Sequence, residues 1–207
     1  MGYNYHVFLS YRRYGEWPEW VEKQFLPLFK HWLGEELGEI PKIFIDIESI
    51  ETGTSWPIKL RKSLAESCVI VPLFSRNYFH SEWCRRELSY LLAREKKCGF
   101  NTSDQPQRLI VPAKIHDGKD FPSVIKDIQC ACLERCSNVR IAPDSPRREE
   151  LSDLIEKWVP DISSAIQSVP EYDENWLELE IDEFMQQFDD QRPKQKALPR
   201  LGQLWVQ

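Results

Sequence analysis

Residues 67–74 read SCVIVPLF. A nearly continuous apolar run of this length matches a central strand buried on both faces of a parallel sheet. The rest of the chain arranges itself around that run. Upstream, residues 56–66 look helical, with Trp56 and Pro57 at the start, where proline's missing N–H costs little. Before them lies a polar loop, Ile47 to Ser55, with Gly53 inside it, preceded by a short strand at 42–46 (KIFID). A first strand is read at 5–10 (YHVFLS). Between these strands Val21, Phe25, Phe29 and Leu33 recur every four residues, which predicts a helix over 17–36 with Gly38 as its stop. Downstream, Ser75 or Asn77 is expected to cap a helix reaching about Lys97. A loop at 100–107 leads to a buried strand at 108–115 (RLIVPAKI), then a short helix and a last strand near Cys130–Leu133. A final helix spans 147–166, after the break APDSP.

Strand and helix thus alternate about five times, which argues for an α/β domain with a parallel sheet and helices on both faces. Right-handed crossovers make such a sheet doubly wound. Ligands of these sheets sit beyond the C-terminal strand ends, at a topological switch point. The segments of interest are therefore Ser10–Arg13, Asp46–Thr54 and Ser75 onward.

Bulk properties narrow the function. The chain has 207 residues, 42% hydrophobic and 12% aromatic, enough for one domain with a real core plus a tail. A net charge of −6 gives no electrostatic footprint for nucleic acid. The longest apolar stretch, near Val69 to Phe74, is too short to span a bilayer, so no membrane is expected. The opening MGYNYHVFLSYRR lacks the apolar core and cleavage site of a secretory signal, which predicts a cytoplasmic protein. Cys68, Cys84, Cys98, Cys130, Cys132 and Cys136 then read as free thiols. His6, His31, His80 and His116 show no metal-ligand spacing, so no metal is expected. No Gly-rich phosphate loop and no G-x-S-x-G elbow is present.

Two segments could carry chemistry. Ser10-Tyr11-Arg12-Arg13 follows the first strand. Its adjacent arginines could grip a pyrophosphate, or form a solvated loop with one structural ion pair. In Ser81-Glu82-Trp83-Cys84-Arg85-Arg86-Glu87, the spacing puts Trp83 and Glu87 on one helix face. An indole beside a carboxylate suits a nucleotide: the ring can stack on a flat cation, and the carboxylate can stabilise positive charge on a sugar. The alternative is a core Trp83 and a surface Glu87 paired with Arg86 or Arg61.

Taken in order, YHVFLSYRR (5–13), IFIDIESIETGTSW (43–56) and CVIVPLFSRNYFHSEWCRREL (68–88) resemble the Toll/interleukin receptor (TIR) domain family over roughly residues 4–165. The resemblance implies a flavodoxin-like, doubly wound sheet of five parallel strands, as TIR domain 1–168. It also implies an activity, since many TIR domains cleave NAD+ at the nicotinamide–ribose bond with a Glu four residues past a Trp. Here these are Glu87, as catalytic residue, and Trp83. The same resemblance places Phe8, Ser10, Tyr11, Arg12 and Arg13 near the nucleotide. It puts Asp46, at the end of the second strand, Trp56 and Trp83 among the substrate-binding residues, and makes Ile47–Ser55 a loop that gates the site and mediates assembly.

NAD+ would be substrate, with no cofactor, and the products ADP-ribose or a cyclic ADP-ribose isomer. Implied partners are further TIR domains and an effector reached through a cyclic product, in immune signalling such as bacterial anti-phage defence. The competing reading is a non-enzymatic TIR adaptor. A more distant one is a nucleoside-processing transferase.

Residues 169–207 lie outside the resemblance. Positions 171–190 hold nine acidic and no basic residues, and 191–207 hold four basic and no acidic ones. Leu177, Ile181, Phe184 and Phe188 predict one short amphipathic helix. It could close over the domain's own core or meet a partner.

Overall fold

A computed structural model describes residues 2–45, 58–116 and 121–190. The SCVIVPLF run is β3 (Ser67–Phe74), buried along its whole length. It is the centre of an all-parallel sheet with β1 (Tyr5–Tyr11), β2 (Ile43–Ile45), β4 (Ala113–Lys114) and β5 (Ala131–Cys132), in the order β2-β1-β3-β4-β5. This is the expected flavodoxin-like order, whose direction of winding reverses between β1 and β3. In that central pair Ser10 lies opposite Pro72 and Tyr11 opposite Leu73.

The strand expected over 108–115 is interrupted. It pairs at Ile110 and again at Ala113–Lys114. Pro72 in β3 has no N–H to give to the facing strand, so the ladder bond between those points lapses.

The helix expected over 17–36 is continuous but not regular. It comprises α1 (Trp17–Trp20), a π turn at Val21–Phe25 and α2 (Leu26–Leu37). A four-residue repeat drifts by about 40° per step on an α-helix. The π turn, in which the Leu26 N–H reaches back to the Val21 carbonyl, offsets part of that drift. Val21, Phe25, Phe29 and Leu33 are all buried as a result. The carbonyl of Lys23, which Pro27 cannot serve, and that of Gln24 accept instead from Arg148 of α6 (Pro146–Gln167), the helix that follows the short α5 (Ser123–Lys126). Gly38 ends the helix as expected, in the left-handed region at φ 70°, where a side chain would be strained.

The helix after β3 starts later than its capping signals suggest. α4 (Glu82–Cys98) is capped by Ser81, not by Ser75 or Asn77. Residues 75–81 instead turn twice, through Tyr78 N–H to Ser75 O at 3.0 Å and Ser81 N–H to Tyr78 O at 3.1 Å. These turns tuck Tyr78 and Phe79 against Phe74 with ring centroids 5.1 Å apart. Burial of two aromatic rings outweighs a local cap.

α3 (Ile58–Ala65) and α4 pack on each other and on the sheet face that carries Ser10, while α2 packs on α6. The C-terminal segment covers the outer side of α3 and α4. The single helix predicted there is split into a 3₁₀ turn (Glu174–Glu178) and α7 (Asp182–Asp190). Arg61 holds the Leu179 carbonyl at the break. Trp176, Leu179, Ile181 and Phe188 are buried in the same core as β3, whereas Leu177 is exposed. Trp176 takes the inward place that the periodicity assigned to Leu177. Residues 191–207 lie outside the described residues. Among the described residues, no helix is long and apolar enough to cross a membrane. All six cysteines are free thiols.

Candidate active site

The winding reversal brings the C-terminal ends of β1 and β3 side by side, and α4 begins above them. Ser10 is the next-to-last residue of β1. Its hydroxyl donates to Glu87 Oε2 at 2.5 Å. Glu87, in the second turn of α4, is only 6% exposed. The sequence left two readings of this carboxylate open, and it is not a helix-surface residue. Arg86, one candidate surface partner, bonds to Glu82 instead, at 2.8 and 3.0 Å.

The Ser10 hydroxyl also meets Tyr78 OH at 2.8 Å, and Tyr78 OH lies 3.3 Å from the Cys84 carbonyl. Tyr78 is fully buried. Burial, followed by the nearby Cys84 and Glu87, pushes its phenol well above the ordinary range, so it stays protonated. Burial, then Glu87, also pushes the Cys84 thiol up, which makes it an inert neutral group.

At the mouth, Arg12 Nη1 donates to Ser81 Oγ at 3.1 Å. Ser81 is the cap of α4, accepting from Cys84 N–H at 3.4 Å. Arg12 is thereby fastened to the N-terminal end of a helix of 17 residues, whose dipole adds to its positive charge. Trp83, one turn before Glu87 on the same face, is half-buried against the core. Tyr11 is half-buried and Arg13 exposed on the segment leaving β1.

Phe8 is covered completely and stacks on Phe44 with centroids 5.1 Å apart. It supports the floor below Ser10 and presents no surface. Asp46, Trp56 and the loop Ile47–Ser55 lie outside the described residues.

Sequence reasoning missed Tyr78 and Ser81. A Ser directly before the helical stretch, followed by the acidic Glu82 in its first turn, was the available sign for the capping role of Ser81. Nothing in the sequence marks the Tyr78 hydroxyl. Ser75, directly after β3, is buried, and its hydroxyl has no partner among the described residues. Cavities among the described residues include two that lie away from this site. One of about 270 Å³ is lined by Cys130, Cys132, Trp158 and Asp161, and a wider one lies between the end of α2 and Pro41. Among the described residues, no three His, Cys, Asp or Glu side chains cluster as metal ligands.

Among the solved structures that match this chain are two that contain TIR domains. The TIR domain of the Toll-related receptor TRR-2 from Hydra magnipapillata matches at 17% identity and a TM-score of 0.43, covering 62% of this chain and 84% of that one. The TIR domains of the activated Roq1 resistosome, which recognises the pathogen effector XopQ, match at 20% identity and a TM-score of 0.38, covering 90% and 98%. No curated protein matches. The TIR-domain family profile matches residues 7–138, from within β1 to just past β5 and so across the switch point. On that match the chain belongs to the TIR-domain family.

Proposed function

We propose that this chain cleaves NAD+ at the bond between nicotinamide and ribose, with Glu87 as its catalytic residue. The observation that carries the reading is the buried carboxylate of Glu87 at the C-terminal edge of the sheet, held by Ser10 beside the winding reversal. That edge is where doubly wound sheets take their ligands.

In this reading Arg12, at the positive end of α4, and Arg13 hold the pyrophosphate, and Trp83 flanks the nicotinamide. The bond from C1′ to the pyridinium nitrogen breaks, and its electron pair stays on that nitrogen. Nicotinamide leaves neutral, so no general acid is needed. The ribose takes on oxocarbenium character, and Glu87 offsets that charge in a site of low dielectric. Preorganised groups of this kind supply several kcal/mol, about 3 for a single one. Water then adds at C1′ and releases a proton, giving ADP-ribose. A nucleophile elsewhere in the same molecule gives a cyclic isomer instead. TIR–TIR contacts would complete the site, and a cyclic product would carry the signal to a separate effector.

The test is purified chain at high concentration, or with a crowding agent, incubated with NAD+, and chromatography of the products. Nicotinamide release is expected. In Glu87→Gln it should fall by on the order of a hundredfold or more. Glutamine is preferred to alanine because the side chain is buried and truncation leaves a cavity. No release from the native chain under any of these conditions would leave an assembly module as the better description.

A further inference from the structure

We propose that Tyr78 is a positioning residue for Glu87, acting through the Ser10 hydroxyl. The inference rests on the reading of Glu87 as catalytic, and it follows from counting protons. A serine hydroxyl has one proton to give. Ser10 donates it to Glu87 Oε2, so toward Tyr78, 2.8 Å away, the Ser10 oxygen accepts. The chain therefore runs from Tyr78 O–H to Ser10 O–H to the Glu87 carboxylate.

All three side chains are at most 6% exposed, so water has little access to replace a lost donor. In low dielectric each bond of such a chain polarises the next. The Tyr78 ring is itself fixed, packed edge-on against both Phe74 and Phe79 at 5.1 Å. Its hydroxyl thus has a set position, and through Ser10 that position reaches the carboxylate. Tyr78 also lies 3.3 Å from the Cys84 carbonyl, one turn before Glu87 on α4. If Glu87 takes up a proton, the chain can reverse: Glu87 donates to Ser10, Ser10 to Tyr78, and Tyr78 to that carbonyl. Every proton then has an acceptor in either charge state. Among the described residues, Arg12 and Cys84 are also brought close to this chain.

The test is a double-mutant cycle on the full chain with Tyr78→Phe, Ser10→Ala and both together, read as kcat and KM for NAD+. Tyr78→Phe keeps the ring and removes only the hydroxyl. It should lower kcat about tenfold, as loss of one hydrogen bond to the transition-state arrangement does, with KM nearly unchanged. In the Ser10→Ala background it should have no further effect, because its route to Glu87 is already cut. Multiplicative losses, or a Tyr78→Phe enzyme as fast as the native one, would overturn the proposal.

A second measurement needs no turnover. The carboxyl ¹³C resonance of Glu87, assigned by its loss in Glu87→Gln, should shift in Tyr78→Phe but not shift further when that change is added to Ser10→Ala. An unmoved resonance in Tyr78→Phe would defeat the proposal even if NAD+ proved not to be a substrate. A moved resonance with no NAD+ cleavage would sustain the coupling and defeat only the activity.

Discussion

α4 carries two buried glutamates, Glu87 and Glu95, and they serve different ends of the sheet. Glu95 is 3% exposed. It accepts from Arg108 Nη2 at 2.8 Å, from Leu109 N–H at 2.6 Å and from Ile110 N–H at 3.1 Å. Its neighbour Arg94 reaches the Ser67 carbonyl at the start of β3 and lies over the rings of Trp176 and Tyr3, at 4.0 and 5.1 Å. Glu87 lies two turns earlier, at the opposite end of the strands, and meets a chain of hydroxyls. Burial alone does not separate the two, because both are covered. Their position along the strand direction does. α4 runs back along the sheet, so its first turns overlook the C-terminal strand ends and its last turns the N-terminal ones. A carboxylate at the first place can meet a ligand. One at the second ties a helix to a strand.

The sharpest way to break this contrast is to neutralise each glutamate in turn. Glu87→Gln should cost turnover by on the order of a hundredfold and little stability. Glu95→Gln should do the reverse. Folded protein keeps its turnover within about twofold, while urea unfolding shows a loss of about 3 kcal/mol, because the guanidinium of Arg108 is left without its charged partner. A Glu95→Gln protein that is stable but inactive would erase the distinction.

Next in size is Arg108→Met, which leaves the Glu95 carboxylate buried without its cation, again at a cost of about 3 kcal/mol near neutral pH. Burial already pushes the Glu95 carboxyl up, with Arg108 and the two backbone amides pulling it back. Without Arg108 it rises further. The folded variant then holds its proton more tightly than the unfolded chain does. Its stability relative to the native protein should therefore recover as pH falls below the folded pKa, and be lost as pH rises through it. Urea unfolding of both proteins across an acidic pH series checks the sign.

Ser81→Ala comes third. It removes the cap of α4 at the Glu87 end and the acceptor that holds Arg12. Thermal unfolding should show a loss of about 1 kcal/mol. If Arg12 holds the pyrophosphate, KM for NAD+ should rise more than kcat falls.

The smallest effect belongs to Lys96→Ala. Its pair with Glu183 joins α4 to α7, but both side chains are exposed. The loss should stay within about 0.5 kcal/mol, since the buried Phe188 and Ile181 are what hold α7 in place.

Much of the fold was legible because it rests on local pattern. The apolar run 67–74, the shorter strands at 5–10 and 42–46 and the stop at Gly38 each carry their signal within a few residues. Where the reading failed, a distant partner had intervened. Ser75 and Asn77 are sound caps in isolation, yet Tyr78 and Phe79 had to reach Phe74 first. Leu177 keeps helical spacing with Ile181, yet Trp176 fits the space beside Tyr3 at 5.8 Å, and Arg61 fixes the turn that follows. The π turn at Val21–Phe25 belongs to the same class, since Arg148 supplies donors from far along the chain.

The candidate site divides in the same way. That Trp83 and Glu87 share a helix face, and that Ser10–Arg13 follow a strand, is fixed by residue type and spacing, because helix and strand periods are local properties of the backbone. That Ser10 should bond Glu87 across 77 residues of chain, and that Arg12 should fasten on the cap of α4, required the sheet to be wound in the order β2-β1-β3-β4-β5. Only the packed sheet brings the ends of β1 and β3 together, and only burial turns an ordinary helical glutamate into a carboxylate held by hydroxyls.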